Sequence, residues 1–144
     1  MNAKARILVI EDEEIVRLSY VRALSAEHCK VEVVADGKGA IRMMRQQPFD
    51  VVLLDLHMPE MDGMNVLKSI KDQWPESEVV IITGYPAIDT AKKAVALGAY
   101  DYLAKPVGPD DVIKVANDAM THKRWALRSE QRTECTAIQS RARM

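Results

Sequence analysis

A chain of 144 residues, 48% apolar and 28% charged, has the length for one domain with a sizeable core and the composition of an ordinary globular protein. A net charge of −1 excludes a globally basic binder of nucleic acid or membrane surface. No apolar run approaches the ~18 residues that span a bilayer, and the apolar stretch near the N-terminus is too short for a signal peptide. Cys29 and Cys135 form no CxxC pair, and with His28, His57 and His122 they show no zinc spacing. They read as free thiols of a reducing compartment, and the chain as cytoplasmic.

In chain order, Ile7 to Ile10 reads as a strand stopped by acids. Residues 13–26 follow as a helix with Val16, Tyr20, Ala23 and Leu24 on one face. A second strand covers 30–35. Asp36 and Gly37 mark a turn, and 38–46 read as a short helix containing Ile41 and Met44. The run "DVVLL" (50–54) is a third strand, continuously apolar as expected of one covered on both faces. The loop "DLHMPEMDG" leads to a helix with Val66, Leu67, Ile70 and Trp74. A fourth strand covers 78–83, and Ile88, Ala91 and Val95 line a helix closed at Gly98. A fifth strand covers 99–104. Pro109, Asp110 and Asp111 suit the first turn of a last helix.

Five alternations of strand and helix predict an α/β fold, a doubly wound (βα)5 unit on a five-stranded parallel sheet. For this length the expected strand order is 2-1-3-4-5. Residues 123–144 carry six Arg or Lys against two Glu, an excess of +4. This segment extends the last helix, forms a linker or frays; Ile113, Met120 and Leu127 continue a seven-residue spacing that Glu134 breaks. Its charge fits a solvated helix face more often than a basic tail for a partner.

In such sheets ligands bind outside the carboxyl ends of the strands. Strand 1 ends in Glu11 and Asp12, strand 3 in Asp55 and strand 4 in Thr83, and strand 5 leads to Lys105. Three carboxylates, a hydroxyl and an ammonium therefore converge. Close carboxylates resist ionisation unless a cation joins them, and an all-oxygen set selects a hard cation such as Mg²⁺. With Lys105 and Thr83 this makes a cradle for a phosphoryl group. Asp55, at its centre, is the candidate nucleophile.

The motifs "LVIEDE", "DVVLLDLHMPEMDG", "VVIITGY" and "GAYDYLAKP", in this order and spacing, resemble the receiver domains of two-component response regulators over residues 4 to about 122. The resemblance implies that Asp55 accepts the phosphoryl group and that Asp12 ligates Mg²⁺ (or Mn²⁺). Glu11 is the partner acid, acting through water where the family often has aspartate, and the His57 backbone carbonyl is a further metal ligand. It implies that Thr83 hydrogen-bonds the phosphoryl group, that Lys105 pairs with it, and that a cis Lys105–Pro106 bond aims the lysine inward. Tyr102 aligns with a switch aromatic that turns inward as Thr83 moves, reshaping the surface of helix 4, strand 5 and helix 5. Gly84 and Tyr85, with His57, fall where the family controls water access to the phosphoryl group.

The implied function is a phosphorylation-dependent switch. A sensor histidine kinase or phosphotransfer protein is the donor, and an output domain or effector is the reader. A phosphorylation-dependent homodimer through helices 4 and 5, or through an extended helix 5, is left open, as is whether the chain stands alone or is a fragment. Such a protein promotes its own phosphorylation and dephosphorylation but does not act on metabolites. An aspartate-nucleophile phosphatase would need a second carboxylate two residues after the nucleophile, where this chain has His57. It would also need a substrate cap. A pseudo-receiver would lack an acid, the nucleophile or the lysine, and all are present.

Overall fold

The structure, a computed structural model, describes residues 5–27, 29–58 and 61–124. His28, Pro59, Cys135 and the tail from 125 onward lie outside the described residues. The elements in order are β1 (Arg6–Ile10), α1 (Glu14–Ser25), β2 (Lys30–Val34), α2 (Gly37–Gln46), β3 (Val51–Leu54), α3 (Gly63–Gln73), β4 (Glu78–Thr83), α4 (Ile88–Ala96), β5 (Asp101–Ala104) and α5 (109–124). The five strands form one parallel sheet in the order β2-β1-β3-β4-β5.

Alternation along the strands builds two cores. Leu8, Ile10, Val52, Leu54, Val79 and Ile81 face Met44, Leu67 and Ile70 from α2 and α3. Ile7, Val9, Val51, Leu53, Val80 and Ile82 face Tyr20 and Leu24 of α1 and Val112, Val115 and Ala119 of α5. Every residue of β3 and β4 is buried, which is why those strands read as unbroken apolar runs rather than alternating ones. Each fully buried Leu, Ile or Val contributes roughly 1.5–3 kcal/mol. The edge strands β2 and β5 stay half exposed.

Three expectations need correction. The helix face read from Ile88, Ala91 and Val95 is not the packed one. Ala94 is the buried residue of α4, while Ile88 and Val95 are 76% and 63% exposed. A small residue at the contact sets α4 against the sheet and turns its bulky aliphatics outward. The fifth strand begins at Asp101 rather than residue 99, because the chain first closes the helix. Gly98 takes φ +101°, the left-handed region that favours glycine, and Ala99 N–H donates to Ala94 O at 3.0 Å. A two-residue antiparallel ladder, His57–Met58 against Met61–Asp62, also interrupts the loop expected after β3.

Gly63 is required by close approach. A Cβ there would lie 2.6 Å from Leu56 Cα and 2.9 Å from Leu56 O, so α3 starts directly against the backbone that follows Asp55. Asp62 caps that helix through its carboxylate, which accepts from Met64 N at 3.0 Å. No helix among the described residues is long and apolar enough to cross a membrane.

Candidate functional site at the carboxyl end of the sheet

The sheet's hydrogen-bond ladder runs one residue past three strand ends. Glu11 N–H donates to Val34 O (3.1 Å), Asp55 N–H to Ile10 O (3.0 Å) and Lys105 N–H to Thr83 O (2.8 Å). Three polar residues are thus held by the backbone bonds that hold the core. Ile10 pairs with Leu54, so Glu11 and Asp55 come level on adjacent strands about 4.8 Å apart. Carboxylate oxygens of Glu11, Asp12 and Asp55 all lie within 4.8 Å of one another. Glu11 and Asp55 are buried and Asp12 is half-buried.

Lys105 Nζ bridges two of the acids, 2.8 Å from Glu11 Oε2 and 3.4 Å from Asp55 Oδ2. Asp55 Oδ1 accepts instead from the His57 backbone N–H at 3.1 Å. The two oxygens of Asp55 are therefore in different surroundings, one beside an ammonium and one beside an amide. Burial pushes the Glu11 carboxyl up to about 7, and the nearby charge of Asp55 adds to this against the opposing hydrogen bond from Lys105. Burial draws Lys105 down, but the hydrogen bond from its ammonium to Glu11 and the charges of Asp55 and Glu11 outweigh it, so its pKa lies above the usual lysine value. Lys105 stays an ammonium, and its single positive charge faces three carboxyl groups, of which Glu11 ionises fully only when further positive charge offsets its burial, so the cluster is short of positive charge. The all-oxygen donor set and this charge deficit fit a hard divalent cation. Glu11, Asp12 and Asp55 are the residues that could hold one.

Thr83, fully buried at the end of β4, accepts from Tyr85 N–H at its hydroxyl oxygen (3.1 Å). This leaves its hydroxyl proton for another acceptor. A Cβ on Gly84 would meet only Lys105 Cδ, at 3.9 Å. His57 and Tyr85 meet edge to face, with ring centroids 4.8 Å apart. The Lys105–Pro106 bond is cis. Tyr102, on β5, accepts a hydrogen bond at its hydroxyl from Ala87 N–H (3.3 Å) and lines a cavity of about 280 Å³ with Ile88 and Ala91.

Two residues near the site escape a reading of the sequence. Arg17 of α1 donates from Nη1 to Glu11 O (2.8 Å) and to Asp12 O (2.9 Å), clamping the acidic loop by its carbonyls. A signal was available, because a cation in the first turn of a helix opposes the helix dipole and needs another reason to be there. Tyr20 is the second. Burial pushes its hydroxyl up, and the charges of Lys105, Glu11 and Asp55 all reach it.

A doubly wound parallel sheet with three carboxyl groups and a lysine gathered at its carboxyl end places the chain among the α/β domains whose ligands bind at that end of the sheet. The chain matches the response regulator receiver domain family over residues 7–117 and belongs to it. It is 33% identical over 121 residues to the DNA-binding transcriptional regulator NtrC of Proteus hauseri, covering 84% of this chain and 26% of that protein. Among solved structures, NtrX from Brucella abortus superposes with a TM-score of 0.84 at 32% identity, covering 90% of this chain and 29% of that one. A response regulator receiver domain protein from Clostridium thermocellum superposes with a TM-score of 0.79 at 32% identity, covering 85% and 98%. The chain thus spans about a quarter of the length of the curated relatives it matches. It is a receiver domain of two-component signalling, a regulatory protein akin to the NtrC and NtrX regulators.

Proposed function

We propose that Asp55 accepts a phosphoryl group from the phosphohistidine of a sensor histidine kinase or phosphotransfer protein, and that the acyl phosphate switches the domain between two shapes. The observation that carries this is the meeting of Glu11, Asp12 and Asp55 within 4.8 Å, with Lys105 Nζ 3.4 Å from Asp55. An Asp55 carboxylate oxygen attacks phosphorus and forms the O–P bond while the P–N bond breaks. The electron pair leaves with the imidazole. Lys105 neutralises charge on the phosphoryl oxygens, and the Thr83 hydroxyl donates to one of them. A bound Mg²⁺, held by Glu11, Asp12, Asp55 and the His57 backbone carbonyl, would draw further charge from those oxygens.

In the same reading Thr83 moves toward the phosphoryl group, Tyr102 turns inward, and the outward Ile88 and Val95 of α4 are redistributed on the face of α4, β5 and α5. An output domain or effector reads that face. The Asp55 acyl phosphate is then lost to water, with His57, Gly84 and Tyr85 governing the rate. Intact mass after incubation with acetyl phosphate, with and without Mg²⁺, tests the proposal. A Mg²⁺-dependent gain of one phosphoryl group, absent in Asp55→Asn, is expected. No gain in the parent from acetyl phosphate or from a phosphorylated kinase would refute it.

A further inference from the structure

On the side of the sheet where α2 packs against α3, a groove of about 410 Å³ is open to solvent. Lys38, Arg42 and Arg45 of α2 stand along it, at the i, i+4, i+7 spacing that places them on one face of the helix. All three are exposed, and among the described residues none has an ion-pair or hydrogen-bond partner. Helix α2 carries no acid. Like charges at these spacings destabilise a helix, and Lys38 sits in the first turn, where a cation opposes the helix dipole. Only Arg45, in the last turn, suits that dipole. A helix face that merely faces water gains nothing from this arrangement.

The rest of the groove is built for a ligand with an apolar part and hydrogen-bonding edges. Ile41 and Val66 supply its aliphatic lining, Val66 itself only 2% exposed, and Asn65 and Ser69 of α3 add an amide and a hydroxyl. Guanidinium groups recognise phosphate bidentately and also stack on planar rings. The volume lies within the range of small-molecule sites. We propose that the α2–α3 groove binds a nucleoside di- or triphosphate, its phosphates on Arg42, Arg45 and Lys38 and its base over Ile41 and Val66. This site is separate from the carboxylate cluster and does not depend on its role.

Isothermal titration of the whole chain with ADP, GDP and inorganic pyrophosphate tests this, in buffer without divalent cations so that the carboxylate cluster takes no part. At least one nucleotide should bind saturably with Kd below about 1 mM, at least about threefold tighter than pyrophosphate. Arg42→Gln/Arg45→Gln should weaken it about tenfold or more, with an unchanged circular dichroism spectrum because both side chains are exposed. Lys92→Gln, on exposed α4, should leave affinity within about twofold. The proposal is overturned if neither nucleotide saturates or if pyrophosphate binds as tightly. It is equally overturned if the double variant binds undiminished, or if Lys92→Gln loses as much.

Discussion

His57 and Tyr85 stand edge to face across the carboxyl end of the sheet, their ring centroids 4.8 Å apart and their planes at 71°. His57 follows Asp55 by two residues and Tyr85 follows Thr83 by two, so the pair joins the loops that follow β3 and β4. An edge-to-face pair is worth roughly 0.5–1.5 kcal/mol, which corresponds to about two- to tenfold in a rate that depends on keeping it closed. His57→Ala and Tyr85→Ala should each speed hydrolysis of the Asp55 phosphate by about that factor, and the double variant should add little. Decay of the phosphorylated form, followed by intact mass, checks this. Rates equal to the parent would remove both rings from the account.

The two glycines beside the site should behave differently. Gly63→Ala forces a Cβ into Leu56 backbone atoms at 2.6 and 2.9 Å, and backbone cannot yield as a flexible side chain does. A loss of about 1–3 kcal/mol is expected. Gly84→Ala meets only Lys105 Cδ at 3.9 Å, so stability should stay within about 0.5 kcal/mol while the added methyl alters access to the cluster. Urea midpoints of the two variants measure the contrast.

Arg17 anchors the acidic loop through two charged hydrogen bonds to the carbonyls of Glu11 and Asp12. Arg17→Met keeps much of the aliphatic stem but loses both bonds. A stability loss of about 1–2 kcal/mol is expected, less than two buried charged bonds would imply because the guanidinium is partly exposed. With the two acids freer to move, Mg²⁺ affinity should fall several-fold, in the manner of other residues that orient metal ligands. Calorimetric titration with Mg²⁺ would show it, and an unchanged affinity would leave Arg17 a purely structural clamp.

Tyr102 ties β5 to the loop before α4 through its hydroxyl. Tyr102→Ala should leave uptake from acetyl phosphate within about twofold, since the ring makes no bond to the acidic residues or Lys105. It should reduce the phosphorylation-induced shifts of α4 amides in a ¹H–¹⁵N correlation spectrum. Undiminished shifts at Ile88 and Ala91 would argue against Tyr102 as the switch.

Much of this was legible in the linear chain for physical reasons. Strands buried on both faces, such as Val51–Leu54, are continuous apolar runs, and a parallel sheet delivers its strand-end residues to one place. Glu11, Asp12, Asp55, Thr83 and Lys105 are therefore grouped by the sequence, and the parallel sheet follows from the alternation, with chain length favouring the order 2-1-3-4-5. What was hidden depends on how elements rotate or reach. The packed face of α4 turns on Ala94, whose small side chain carries little periodic signal beside Ile88 and Val95. Arg17 acts through a long side chain folding back onto carbonyls, and carbonyls have no sequence identity. The ladder at His57–Met58 is too short to leave a pattern.

The central claim is that the reactive atom belongs to Asp55. An acyl phosphate is reduced by borohydride to an alcohol, whereas a free carboxylate is not. The parent, phosphorylated in Mg²⁺ and then reduced, should yield one peptide in which residue 55 alone has become homoserine. Reduction at Glu11 or Asp12, or a phosphoryl group that resists borohydride and maps to another side chain, would contradict the account.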